Sequence, residues 1–391
     1  MTGKIVTLAC CVALGFAQSA AYILCEGNFM VGNSSLWQVT GQEILLGVEN
    51  NPLGDTGQSL CVYEHKLYAI LNGTGTIEVF QIQTSGDLAF EQSVDLNFSG
   101  PREMTVINGR GYITEWYLND IAILDIPTLT IVGNIPVEGL PEDIIWDGSR
   151  LYVSLTMNMD WSSAHKILVI DPETESVIDE YEVADGPGPM VLANEQLYVS
   201  STYYDANWNT YAATSKIDLV TGNILINDYG QTPLFGTDII FFQGDIYRIY
   251  NNGIIALDDA LSPIPDSYLG EFPGLYSMDI YQNHIYLGLS NFVSPDEVRI
   301  IDFAGVQIAS FSVGAIPGSF AFYPPLLNCD ISGDVNHDLN MDILDLVKMI
   351  SHILGMNEMS EQEVCASDSN EDGFVDVTDI VYWVDQILVN P

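Results

Sequence analysis

One pattern returns six times between residues 59 and 290, and it constrains the fold more than any other feature of the chain. A short apolar strand, a turn carrying Asn, Asp or Gly, and a second strand with tyrosine near its start recur as SLCVYEHKLYAILN, EMTVINGRGYITEW, DIIWDGSRLYVSLT, MVLANEQLYVSST, DIIFFQGDIYRIYN and SMDIYQNHIYLGLS. The marker tyrosines are Tyr68, Tyr112, Tyr152, Tyr198, Tyr247 and Tyr286, spaced by 44, 40, 46, 49 and 39 residues. That period fits a unit of four short strands and their turns. Third strands follow as IEVFQIQTSG, IAILDIPTLT, ILVIDPETES, SKIDLVTGNI and VRIIDFAGVQ, where Asp-Pro and Thr-Gly supply tight reversals. No amphipathic helix of ordinary length interrupts the series, so the region reads as all-β.

The ends of the region complete the count. Residues 20–29, AAYILCEGNF, place Tyr22 at the second-strand position, 46 residues before Tyr68, with no first strand ahead of it. Residues 319–325, SFAFYPP, form a first strand with no second. Joined, they make a seventh unit that closes the ring and removes the exposed edges of an open row of sheets.

The repeated strands, the Pro-Arg of GPREMTV, the Pro-Glu of LPEDIIW and the CEGNF opening resemble the YncE-like or YVTN-type seven-bladed β-propellers of bacterial exported proteins, over residues 22–325. The resemblance implies the fold and leaves function open, because propellers serve as hydrolases, lyases and pure binding proteins alike. In such a propeller Cys25 and Cys61 fall near one face, and the expectation is a bridge between them.

Composition narrows the partners. Ten Lys plus Arg stand against 53 Asp plus Glu, a formal charge of −43, and so acidic a surface repels nucleic acid and anionic membrane surfaces. Hydrophobic residues at 48% exclude a disordered chain. At the N-terminus, Lys4 precedes an apolar run from Ile5 to Ala17 that is too short to span a bilayer, followed by small residues at Ser19, Ala20 and Ala21. Residues 1–21 are therefore expected to be a signal peptide, cleaved between Ser19 and Tyr22, which makes the protein secreted, extracellular or cell-surface. No later run is long enough for a membrane span. Cleavage leaves Cys25, Cys61, Cys329 and Cys365, an even number suited to disulfides outside the cell; four buried thiols are the plainer alternative.

After a linker that ends at residues 326–328, residues 329–391 change character. Asp334, Asn336, Asp338, Asn340, Asp342 and Asp345 stand at positions 1, 3, 5, 7, 9 and 12 of one loop; Asp368, Asn370, Asp372, Phe374, Asp376 and Asp379 occupy the same positions of a second, 34 residues later. A 12-residue loop of this kind wraps Ca2+ with side-chain oxygens at 1, 3, 5 and 12, the carbonyl at 7 and a water at 9, so two calcium ions are expected. Leu346, Val347, Ile350, Ile353 and Leu354 recur as Ile380, Val381, Val384, Ile387 and Leu388, giving each following helix one apolar face. The segment resembles a dockerin, a small α-helical module with two EF-hand-like calcium loops that docks onto a cohesin. The resemblance implies partner contacts at loop positions 10 and 11: Ile343, Leu344, Val377 and Thr378. It also departs from the family, with Leu339 where the first loop should carry Gly, and the first site is expected to be weaker. Cys329 and Cys365, just ahead of the two loops, are the second expected bridge.

Signatures such as G-x-S-x-G, H-E-x-x-H, C-x-x-C, the P-loop and the dinucleotide fingerprint are missing, and the reading leans away from catalysis. The functional hint lies in the loops after the marker strands, which hold Glu26, Asn28, Trp116, Trp161, Tyr204 and Trp208 and should gather on one face. Trp and Tyr among Asn and Asp suit stacked sugar rings, a protein interface, or ordinary loop packing. Arg102 and Glu142 should lie near the central channel on that face, as an anion contact or as a structural pair. The expectation is a binding or scaffold propeller held to a cohesin, in polysaccharide binding or breakdown. A tethered propeller glycoside hydrolase, lyase or lactonase is one alternative, and a surface adhesion protein is another.

Overall fold

The computed structural model describes residues 20–40, 43–46, 53–83, 85–232, 236–281, 283–293, 295–323, 333–336, 341–356, 359, 361–369 and 375–389. The chain divides into two compact units. The larger spans Ala20–Gln83 and Asp87–Tyr323, and most of the smaller is the C-terminal stretch Pro324–Pro391.

The larger unit is a ring of seven antiparallel sheets. Blade one is closed by strand Pro317–Tyr323, which pairs with Ala20–Cys25 in the register Ala20↔Tyr323 to Leu24↔Ser319; Ser35–Thr40 and Glu43–Leu46 complete it. The ring thus shuts between the two ends of the repeat region, with strand pairing already present at Ala20. The inner strands of blades two to seven are Gly57–Tyr63, Pro101–Ile107, Leu140–Trp146, Pro187–Ala193, Ile239–Phe242 and Leu275–Tyr281.

The marker tyrosines explain why the period is visible. Each lies on the second strand of its blade and packs on the next blade: Tyr68 with Ile113 and Leu124, Tyr112 with Ile144 and Val153, Tyr152 with Met190 and Leu197, Tyr247 with Met278 and Leu287, and Tyr286 with Phe320 and Ile23. A second strand is covered on both sides and reads as an unbroken apolar run. Outer strands such as Ser176–Glu182 and Gln307–Val313 are largely exposed and carry no such signal.

Blade six departs from the four-strand expectation. Among the described residues it has three strands, Ile239–Phe242, Asp245–Tyr250 and Gly253–Leu257. A fourth is replaced by an isolated Leu257↔Pro263 bridge and a 3-10 turn over Pro265–Ser267. Prolines at 263 and 265 lack the N–H groups a ladder needs.

The smaller unit holds helices α1 (Ile343–Ile353), α2 (Glu361–Ser367) and α3 (Val377–Val389) around Val335, Leu346, Met349, Met359, Val375 and Trp383. The Trp383 indole N–H donates to the Ser367 carbonyl at 2.6 Å. Among the described residues no helix is long and apolar enough to cross a membrane.

Candidate functional site

Every inner strand of the propeller begins at one face, which also carries the loops after the second strands. Arg102 is aimed there by its approach. Gly100 takes φ +68 at a point where a Cβ would meet the Tyr117 ring at 2.8 Å, and its carbonyl accepts from the Trp116 N–H at 3.0 Å. The ladder then slips between Pro101 and Met104, and likewise between Pro141 and Ile144; bulges of this kind re-aim side chains.

Arg102 Nε donates to Glu142 Oε2 at 3.0 Å, Nη2 to Oε1 at 2.5 Å, and Nη1 to Gln58 Oε1 at 2.5 Å. Its guanidinium carbon lies 4.2 Å from the centroid of a Trp116 ring. The Arg102 and Glu142 side chains are only 17% and 19% exposed. Burial works against the Arg102 charge, and Glu142 beside it more than restores it. Of the two readings of Arg102, the structure realises the pair: the fork is spent on Glu142. Glu26 belongs to the same group, with Oε1 accepting from the Tyr276 hydroxyl at 2.6 Å. Gly318 makes room for it, since a Cβ there would lie 2.6 Å from Glu26 Oε1. Burial pushes the Glu26 carboxyl above its usual range.

One position further along the inner strands, side chains tie five of the seven blades to the next. Ser59 Oγ donates to the Arg102 carbonyl at 2.6 Å and Ser277 Oγ to the Pro317 carbonyl at 2.6 Å, while Ser319 Oγ accepts from Leu60 N–H at 3.0 Å. Asp143 Oδ2 accepts from Met190 N–H and Asp238 Oδ2 from Met278 N–H, both at 2.7 Å. Burial in the channel pushes both acids up to about 7, and Glu103 well above the carboxylate range. Ser319 makes the same acceptor tie as Asp143 and Asp238, whereas Ser59 and Ser277 reach the next blade by donating to a carbonyl, so each of the two acids has a structural role as a bridge between blades.

The loop rim is apolar and exposed. Phe29, Met30, Phe98, Tyr117, Met159 and Trp161 stand out on it, followed by Tyr204, Trp208 and Phe292, with Trp208 82% exposed. Met30, Phe98, Trp161, Trp208 and Phe292 all sit at φ between 55° and 66°, a left-handed backbone that bulky residues rarely adopt. Trp161 meets Trp116 edge-on at 6.1 Å, Tyr204 lies 6.2 Å from Trp208, and Asn28 donates to the Phe292 carbonyl at 3.1 Å. Glu26, Arg102, Trp116, Glu142 and Trp161 thus form one connected group, while Tyr204 and Trp208 form a second on the blade-five loop. Gln58, Tyr276 and the inter-blade ties went unseen in the sequence; aligning the inner strands on Gly100-Pro101, Gly139-Leu140-Pro141 and Gly186-Pro187 would have exposed them.

The expected Cys25–Cys61 bridge is corrected: both are free thiols. Cys25 pairs with Pro317 at the start of its inner neighbour, whereas Cys61 stands four residues beyond Gly57, opposite Tyr68. Four residues of strand are about 13 Å, beyond the ~7 Å Cα reach of a disulfide. Burial pushes both thiols up to about 12. Cys329 and the side chain of Cys365 lie outside the described residues.

In the smaller unit the two loops repeat one arrangement. Asp345 is fully buried; its Oδ1 accepts from Val335 and Asn336 N–H at 2.8 and 2.9 Å, and its Oδ2 from Asp342 N–H at 2.9 Å. Asp379, equally buried, accepts at Oδ1 from Ser369 N–H and Oγ–H, both 2.8 Å, and at Oδ2 from Asp376 N–H at 2.9 Å. Each position-12 carboxylate therefore folds back onto the first turn of its loop, bringing it toward the stretch that carries Asp334 and Asn336, or Asp368. A buried, cation-poor carboxylate in an oxygen-rich loop fits a hard divalent ion. Among the described residues no three acidic, His or Cys side chains converge on a metal position; Asp338, Asn340, Asn370, Asp372 and Phe374 lie outside them, as does Leu339.

The helices revise the single apolar face. Leu346, Met349 and Trp383 are buried, with Ile380 and Ile387 packed on them. Ile343, Val347 and Ile350 on α1 and Leu354 at its C-cap are exposed, as are Val377, Val381, Val384 and Leu388 on α3, every pair 34 apart. Leu344 and Thr378 are exposed beside them.

Residues 332–387 match the dockerin type I domain. The C-terminal segment is a dockerin. Dockerins bind calcium and cohesin domains, so the chain carries a module for cohesin-mediated anchoring, and proteins bearing one are typically extracellular or cell-surface. No curated protein sequence matches the chain. Similar solved structures include a Bacteroides fragilis protein described as a candidate 6-phosphogluconolactonase (TM-score 0.58, 11% identity, 79% of this chain and 98% of that one). A periplasmic gluconolactonase of Pseudomonas aeruginosa scores 0.55 at 12% identity over 78% and 99%. Kuenenia stuttgartiensis hydrazine synthase scores 0.53 at 14% over 70% and 92%. At such identities the likeness shows the propeller fold and no activity.

Proposed function

We propose that this chain is an exported, non-catalytic propeller that binds polysaccharide through its loop face and is held by its dockerin on a cohesin-bearing scaffold or surface. The observation that carries the reading is the exposed rim of Trp, Tyr and Phe among Asn and Asp. Aromatic faces stack on the apolar faces of sugar rings while amide and carboxyl groups meet hydroxyls. The rim loops at 26–34, 96–100, 116–119, 158–162, 204–209 and 290–293 contain no Lys or Arg, which suits neutral glycans over uronic ones. In this reading the dockerin holds two calcium ions, one per loop, and presents Ile343, Leu344, Val377 and Thr378 with the exposed apolar stripes to the cohesin. Export cleavage falls at Ser19–Ala20, which keeps the Ala20 end of the closing ladder intact.

Calorimetry of the full chain in calcium, mixed with neutral and uronic polysaccharides, tests the proposal. Saturable heat with neutral chains supports it. Sustained heat means turnover and moves the chemistry to the channel, and silence throughout assigns the rim to a protein partner.

A further inference from the structure

A buried charge between blades five and six is unexplained by either module's function. Arg248, on the second strand of blade six, is fully buried. Its Nε donates to the Ile249 carbonyl at 3.2 Å, and its Nη1 to the Ala213 carbonyl at 2.9 Å and to Thr214 Oγ1 at 2.5 Å. Tyr229 lies beneath it, with 4.8 Å from guanidinium carbon to ring centroid. Nη2 is buried without a hydrogen-bond partner. No carboxylate is among these neighbours. The titratable groups acting on it are the phenols of Tyr229 and Tyr250, and burial holds Tyr229 neutral. A buried cation with neither counter-charge nor complete hydrogen bonding is strongly disfavoured.

Two more unpartnered groups share that face of blade five. Ser200 stands opposite Thr214, and Thr202 opposite Ala212. Since side chains alternate along a strand, Tyr198, Ser200 and Thr202 point the same way, and Tyr198 packs in the interface between blades five and six. The Ser200 and Thr202 hydroxyls are buried and without partners. Ala212 on the neighbouring third strand, opposite Thr202, keeps that face short of side-chain bulk.

We propose that blades five and six enclose one small monovalent anion of the chloride class, bound by Arg248 Nη2 with the Ser200 and Thr202 hydroxyls. All three groups donate, and a single cation balances a single negative charge. Water alone would serve the hydroxyls and leave the guanidinium uncompensated. The ion would pin three-stranded blade six to its neighbour.

Crystals of the full chain grown in sodium bromide give the direct test. An anomalous peak beside Arg248 Nη2 is expected; water density without anomalous signal there overturns the proposal. In solution, the propeller's unfolding midpoint should be higher in chloride than in gluconate at equal ionic strength, as for any ligand of the native state. Arg248→Met should abolish the difference. Thr202→Val keeps the charge and serves if that variant does not fold: it should reduce the difference, and an undiminished chloride response in either variant refutes the site.

Discussion

Trp208 presents an indole 82% exposed from a backbone at φ 63°, and Trp161 does the same at 57% and φ 66°. A left-handed L-residue costs on the order of 1–2 kcal/mol, and an exposed ring regains little of it by burial. Such strain is kept where the outward-facing group has a use. Trp208→Gly and Trp161→Gly should therefore leave unfolding free energy within about 1 kcal/mol, since relieved strain offsets the greater freedom of an unfolded glycine. Glycan affinity should fall about tenfold for each lost ring. Denaturant titration and calorimetry check both, and the opposite outcome, lost stability with binding intact, makes the indoles packing groups. The channel acids act on stability through pH. Burial raises Asp279 to about 7, as it does Asp143 and Asp238. A folded pKa above the unfolded value means the native state holds more protons between about pH 4 and 7, so stability falls as pH rises through that window. Asp147 and Asp218 are held below the usual range, mainly by hydrogen bonds; their contribution is lost only below about pH 4. The propeller should thus be more stable at pH 5 than at pH 8. Asp279→Asn should stabilise it at pH 8 and change little at pH 5, by denaturant titration in high salt, which screens the general repulsion of the −43 charge.

Elements differ in how plainly the sequence announces them. Second strands were legible because both their sides are covered, so Tyr68, Tyr112 and Tyr152 appear at the head of apolar runs. The closing strand was legible because SFAFYPP and AAYILC each lacked half a blade. The inter-blade ties were not, because Ser59, Asp143, Asp238, Ser277 and Ser319 share a position and a role without sharing a residue type. The dockerin helices hid a different distinction: periodicity records that Leu346 and Val347 are both apolar and is silent on which one the module buries and which it offers outward. Leu346 is 8% exposed and Val347 is 55%. That contrast yields a prediction at the element scale. The α1 stripe of Ile343, Val347, Ile350 and Leu354 is bulkier than its α3 counterpart of Val377, Val381, Val384 and Leu388, so α1 should contribute more to cohesin capture. Burying one valine is worth roughly 1.5–3 kcal/mol. Val347→Asp should weaken cohesin binding about ten- to a hundredfold with the helical signal in calcium unchanged, and Val381→Asp should weaken it less. Surface-bound cohesin and purified full chain suffice for the comparison.

At the scale of the whole molecule the two units rest on different physics. The propeller closes through strand pairing and inter-blade apolar clusters. Among the described residues the dockerin core gathers about ten side chains around Trp383, and in a module this small metal binding contributes a large part of the folding free energy. Asp345 and Asp379 concentrate buried negative charge in its loops, which a chelator would leave uncompensated. Heating the full chain should accordingly show two transitions, of which only the dockerin's moves with calcium. EGTA should remove the α1 and α3 helical signal at 222 nm and leave the propeller transition in place. The two loops separate further. Leu339 occupies the sixth position of the first and Gly373 that of the second, and where a calcium loop requires a left-handed residue at that position, leucine would cost about 1–2 kcal/mol more than glycine. Asp345→Ala and Asp379→Ala remove equivalent buried carboxylates, so comparing them isolates that difference. If each loop holds one ion, as proposed, Asp379→Ala leaves only the first site and should need about tenfold more calcium to restore the helical signal than Asp345→Ala. Equal requirements would show that Leu339 adopts its turn without strain.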